Sequence, residues 1–98
     1  MQMFEKGRYK DTSNHEVEKD LQEQGYNPLL ISELPNDVLA KHSHKESHIL
    51  VVVDGEMKVD LEGKKLIMKP GDQLSIGSGV SHAAFFGTKG CKYYWVEY

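Results

Sequence analysis

From Pro28 onward the sequence keeps one rhythm, in which short apolar runs are separated by Gly, Pro, Asn and Asp at intervals of roughly eight to ten residues. Leu29-Leu30-Ile31 precedes the turn Leu34-Pro35-Asn36-Asp37, Val38 to His44 forms the next strand, and His48 to Val53 the one after. Asp54-Gly55 reads as a tight hairpin leading into Met57 to Leu61, where apolar and charged residues alternate. Strands at Leu66–Met68, Leu74–Ile76, Ser81–Phe86 and Cys91–Glu97 follow, separated by turns at Pro70-Gly71-Asp72, Gly77-Ser78-Gly79 and Lys89-Gly90. About eight short antiparallel strands over residues 28–98 are more than one open sheet comfortably holds, so the expected fold is an all-β closed or double-sheet jelly-roll barrel.

Residues 1–27 read differently. Ser13 with Glu16 three residues later suits a capping box, and Val17 and Leu21 recur at helical spacing until Gly25, a natural stop. One short helix is expected over 14–24, with strongly charged outer faces, lying on the barrel or reaching a second subunit. His15, beside Glu16 and Glu18, reads as a solvated surface residue.

With 98 residues, 39% hydrophobic and 28% charged, the chain suits one domain: an N-terminal segment, 1–27, and a barrel, 28–98. Fifteen acids outweigh twelve bases, and the bases are scattered, which argues against a nucleic-acid partner. No apolar run approaches the roughly 18 residues of a membrane span, and the first ten residues lack the apolar stretch of a signal peptide, so a cytoplasmic protein without a membrane partner is expected. The single cysteine, Cys91, shares the parity of Tyr93 and Trp95 and reads as an inert packed thiol in a reducing compartment.

Four of the five histidines fall in two clusters. His42 and His44 sit at i and i+2, so on a strand both imidazoles project from one face. His48 shares the parity of Leu50 and Val52, and His82 that of Ala84 and Phe86, so both should point inward. A single barrel-wall histidine is more often a hydrogen-bonded core residue than a ligand. Four converging imidazoles without a metal would leave ring nitrogens needing partners, and protonation would place repelling charges in a low-dielectric space. One divalent ion satisfies them together.

The stretch His42-Ser43-His44, His48 and Gly55 resembles the first cupin motif, in which HxH is followed by a glutamate and then a glycine. Pro70-Gly71-Asp72 through Ile76-Gly77-Ser78-Gly79 to His82 resembles the second, PGDxxxIPxGxxH. The resemblance implies a cupin double-stranded β-helix with one divalent metal ion held by His42, His44, His48 and His82. Two positions depart from the pattern: Gly77 stands at the usual proline, and His48 at the usual glutamate. An all-histidine set is a known variant, and a three-histidine site with His48 behind it is the alternative. The resemblance also implies a homodimer paired through sheet edges and N-terminal segments, with the helix and the Leu29–Ser32 strand as candidates.

Imidazole donors suit zinc, nickel, iron, manganese or copper, and the sequence does not choose among them. Four neutral ligands leave both positive charges of the ion uncancelled, favouring anionic ligands. The leading reading is a metal-dependent cupin that oxygenates or isomerises a small oxygen-rich molecule. The other is a non-catalytic binding or sensing module on the same fold. No catalytic acid–base pair stands out: Glu46 and Ser47 read as a solvent-facing turn, and Tyr93, Tyr94 and Trp95 as packed strand aromatics rather than the lining of a pocket.

Overall fold

In the computed structural model, which describes residues 3–98, the turn rhythm resolves into β1 (Met3–Glu5), α1 (Asn14–Glu23), β2 (Leu29–Glu33), β3 (Val38–His42), β4 (His48–Leu61), β5 (Lys64–Met68), β6 (Gln73–Ile76) and β7 (His82–Glu97). All the pairings are antiparallel. The expected all-β roll with one short helix is therefore what forms. No helix among the described residues is long and apolar enough to cross a membrane.

Two expected turns are not turns. β4 runs 14 residues straight through Asp54-Gly55, and β7 runs 16 through Lys89-Gly90. The two long strands pair with each other in two blocks, His48–Val52 against Tyr93–Glu97 and Met57–Leu61 against His82–Phe86, with the register shifting between Val52 and Asp54 and again between Gly55 and Met57. A glycine at positive φ serves a hairpin turn or a bulge equally well, and here Gly55 at φ 76° and Gly90 at φ 77° serve the second use.

The shift changes which parity faces inward. In β4 the inward residues are Leu50 and Val52 before it, and Met57, Val59 and Leu61 after it; in β7 they are Ala84 and Phe86, then Cys91 and Tyr93. All nine belong to one core cluster. Each long strand thus supplies two inward faces. The first block of β4 also pairs β6, and through it β1, while its second block pairs β5; β7 correspondingly pairs β3 and then β2. The β4–β5 connection is a two-residue hairpin, and Glu62 (φ 49°) and Gly63 (φ 91°) both adopt the left-handed backbone that matches strand twist.

The outward parity of the first block is not wasted on solvent. Ile49, Val51, Tyr94 and Val96 pack beneath α1, whose Val17 and Leu21 are fully buried against them. The Ser13 side chain accepts from the Glu16 N–H at 3.2 Å, as the capping pattern requires. The helix lies on the barrel, and His15 is exposed. Asp72 of the Pro70-Gly71-Asp72 turn is buried and accepts from the Gly7 N–H at 2.7 Å and the Lys69 N–H at 2.9 Å, tying the N-terminal segment to the roll.

A Cβ built at Gly55 would lie 2.1 Å from the Gly90 carbonyl oxygen, whereas one at Gly63 meets nothing within 4 Å. Gly63→Ala is expected to cost about 1 kcal/mol, from backbone conformation alone. Gly55→Ala should cost at least about 3 kcal/mol, because the two long strands must separate. Urea unfolding of both variants checks this, and equal losses would show that the contact at the register shift does not matter.

Candidate metal centre

The histidines gather where strands begin and end. His42 closes β3 and pairs with His82, which opens β7; His48 opens β4, and His44 lies in the connection between β3 and β4. The expected strand to His44 therefore stops two residues early, and a loop carries that imidazole. The Gly79 N–H donates to the His44 carbonyl at 2.7 Å, and the Ser78 hydroxyl donates to the Lys45 carbonyl. The Gly77-Ser78-Gly79 turn thus holds the His44 loop without the proline at position 77.

His42, His44 and His82 each offer a ring nitrogen, and these atoms lie within 4.8 Å of one another. Ring centroids are 4.7 Å apart for His42–His44, 4.3 Å for His42–His82 and 5.6 Å for His44–His82. Donors about 2.1 Å from one ion sit roughly 3.0–3.4 Å apart in adjacent positions, so modest side-chain rotation closes the set. Two of the rings are also held by the backbone. His42 Nδ1–H donates to the Ala40 carbonyl at 2.6 Å, and His82 Nδ1–H to the Val80 carbonyl at 3.0 Å. A carbonyl can only accept, so Nδ1 carries a proton and Nε2 is the nitrogen left for a metal. The residues fit a divalent ion.

The expected four-histidine cluster is seen as three. His48 is buried, as its parity implied, and its ring lies 4.5 Å from that of His44. Its Nε2, however, is 3.3 Å from Glu97 Oε2, the carboxylate opposite it in the β4–β7 register, and the ring stacks on Trp95 at 5.2 Å. Glu97 could not be singled out in the sequence, because its role depends on a pairing that spans 49 positions.

Below the histidines lies a cavity of about 300 Å³. Its walls include Leu50, Val59, Ala84 and Phe86, and Tyr93 and Trp95 line it too, a correction to their reading as packing alone. Tyr94, by contrast, faces α1 and donates to the Asn14 carbonyl. Cys91 is buried, and burial pushes its thiol up to about 12, so it is inert as expected. Glu46 is exposed, and Ser47 exchanges backbone hydrogen bonds with Tyr98.

Fold and site together define a rolled antiparallel sheet with a histidine cluster at the rim of an apolar cavity. Residues 30–97 match the family described as Cupin domain, and the chain belongs to that family. Among solved structures it is similar over its whole length, and that of the other chain, to a DUF861 family protein from Thermotoga maritima (14% identity, TM-score 0.66). It also resembles KdgF from Halomonas sp. (24% identity, TM-score 0.64, 71% of this chain and 67% of that one). A third similar structure is the polyketide cyclase RemF from Streptomyces resistomycificus (24%, TM-score 0.66, 74% of this chain and 53% of that one). These likenesses show the fold. No curated protein matches the sequence significantly.

Burial holds His44 and His82 below the ordinary histidine value of 6.5, and the neighbouring imidazoles push the same way, while the Val80 carbonyl opposes them at His82. A histidine depressed in the folded state binds its proton more readily when unfolded. Its contribution is therefore intact above pH 6.5 and is lost as pH falls from there through the lower folded value. Metal-free protein should melt at falling temperature from pH 7 to 5.5, and His44→Gln/His82→Gln should lose most of that decline. An undiminished decline in the double variant, followed by circular dichroism, would place its origin elsewhere.

Proposed function

We propose that His42, His44 and His82 hold one divalent ion, that His48 joins them as a fourth ligand, and that the chain oxygenates or isomerises a small oxygen-rich molecule in the adjoining cavity. The observation that carries the reading is the placement of the rings: two donate Nδ1–H to carbonyls, which leaves Nε2 as the nitrogen a metal would take, beside a third ring within ligating reach. His48 fits as the fourth because what it would give up is slight. Its contact to Glu97 is long for a charge-assisted hydrogen bond, and the Glu97 side chain is 43% exposed and can be rehydrated. When bound, the ion supplies Lewis acidity at the rim, its double charge uncancelled by neutral imidazoles. The chain's own part is to hold the ligand's oxygen atoms there and to keep water away with the apolar wall below.

Zinc, nickel, iron(II), manganese or copper should raise the melting temperature. His42→Ala, His44→Ala or His82→Ala should each weaken binding at least 100-fold by calorimetry. His48→Ala should weaken it more than tenfold; a smaller loss would leave three ligands and reduce His48 to a neighbour. The melting-temperature gap between loaded and metal-free protein should narrow from pH 7 to 5, as protons compete for the rings. Oxygen uptake or product formation with diketones, thiols or phenols makes the chain an enzyme. Tight binding of such compounds without turnover makes it a binding module, and absence of metal binding overturns the reading entirely.

We also propose a homodimer formed through β2. One edge of this strand pairs with β7 and it ends the sheet order; Leu29 and Leu30 are about half exposed, next to exposed Leu34 and Val38. An apolar free edge is a surface that proteins cover. Light scattering at micromolar concentration should give twice the chain mass, and Leu30→Lys should halve it. A monomeric mass for the unaltered chain would dispose of the idea.

A further inference from the structure

The end of the cavity away from the histidines is not apolar. Glu33, the last residue of β2, lines it, and so does Tyr93 of β7, whose hydroxyl donates to Glu33 Oε2 at 2.8 Å. The strand registers fix where this pair lies. His48 stands opposite Glu97, and Tyr93 stands opposite Val52, four residues along the same strands, which is about 13 Å of strand. Glu33 is opposite Cys91, one inward step further on, while Ile31 faces Tyr93. Between the two ends the walls are apolar and aromatic: Leu50, Val59, Ala84, Phe86 and Trp95. Phe86 and Tyr93 stack with centroids 5.9 Å apart and planes 9° from parallel, so one aromatic face continues to the Glu33 end.

The Glu33 carboxylate, only partly buried, has capacity to spare. It can accept about four hydrogen bonds, and a single phenol donor leaves most of that capacity unused. Among the described residues no second donor bonds to the Glu33 side chain, and no cation lies within ion-pair distance of it. Tyr93 cannot share the negative charge, because burial first, and then the Glu33 carboxylate beside it, hold its phenol above the ordinary range and therefore neutral. The nearby Cys91 thiol is likewise held protonated by burial. A ligand group that donates to Glu33 would gain a charge-assisted hydrogen bond in partly desolvated surroundings, which is where such bonds are strongest.

We infer that Glu33, braced by Tyr93, is a second polar subsite of this cavity, selecting ligands that carry a hydroxyl or ammonium donor on an apolar, preferably aromatic, body whose other end bears the metal-binding oxygens. The inference rests on the proposed metal centre for the placement of those oxygens, and adds the substrate class. It makes Glu33 a specificity residue rather than a catalytic one.

Calorimetry on zinc-loaded full-length protein tests it with four probes: benzohydroxamate, which chelates through its two oxygens, and its 4-methyl, 4-hydroxymethyl and 4-aminomethyl derivatives. The 4-methyl compound controls for size, and the last two distinguish a hydroxyl donor from an ammonium. At least one of these two should bind about tenfold more tightly than the 4-methyl compound. Glu33→Gln, which keeps the shape, should reduce that preference below threefold while leaving 4-methylbenzohydroxamate unchanged. Tyr93→Phe, which removes the competing donor but keeps the carboxylate, should preserve or enlarge it. If both donor probes bind no better than the methyl control, or if the preference survives Glu33→Gln or vanishes in Tyr93→Phe, the assignment of Glu33 fails and the metal centre stands. If benzohydroxamate itself does not bind the loaded protein, the metal centre's free positions fail, and this inference falls with them.

Discussion

The structure depends on one double dislocation. β4 and β7 slip against each other where Gly55 meets Gly90, and on either side of the slip opposite parities face inward. Without it, two strands of 14 and 16 residues would present a single inward set along their length, and the ribbon would remain one long two-faced sheet. With it, the halves of each strand take different outer partners and their inward faces meet across one core. The β2–β3 turn closes over the same place, where the Asn36 N–H donates to the Gly87 carbonyl and the Phe86 N–H to the Asp37 carbonyl. A cavity exists because a parity change of one residue moves whole rows of side chains.

The histidine cluster follows from that geometry. The two ends of the β4–β7 ribbon, His48 opposite Glu97 and His82 opposite Leu61, both reach the cavity rim, and β3, ending beside the start of β7, adds His42. Only His44 is placed by a loop, and the loop is held by the Gly79 N–H to the His44 carbonyl and by the Ser78 hydroxyl to the Lys45 carbonyl, both from the turn that precedes His82. So both halves of the histidine pattern are tied to each other by the main chain before any ion is considered. The three rings pack at centroid distances of 4.3–5.6 Å, and burial holds His44 and His82 below the ordinary histidine value, so added protons are disfavoured there. That arrangement is unfavourable for an empty rim and favourable for a cation.

Much of this was legible in the residues. Ser13, Val17 and Leu21 gave the helix its start and its buried stripe, and the parity of His48 and His82 against their apolar neighbours gave their inward direction. The two glycine turns at 54–55 and 89–90 were misread because local sequence specifies a positive φ and not what the chain does beyond it. β1 is three residues long and owes its existence to β6, a long-range partner that short-range periodicity does not reveal. Glu97 beside His48, and Glu33 beside Tyr93, were out of reach for the same reason. Each is an acidic residue near the end of a strand, indistinguishable from a solvated one until the register supplies its neighbour.

The separation of the cavity's polar groups into two ends has a consequence for recognition. Apolar walls contribute roughly 25 cal/mol for each Å² they bury, whichever way round a ligand enters. They give affinity without orientation. Orientation comes from the ends, because a reversed ligand leaves the partly buried Glu33 carboxylate and the ring nitrogens without the partners that the forward orientation gives them. The ends are also chemically unlike: imidazole nitrogens at the rim suit a cation and the anions it attracts, while Glu33 at the other end suits a donor. Since β7 carries His82 near one end and Tyr93 near the other, the strand dislocation that creates the cavity also sets the spacing between them.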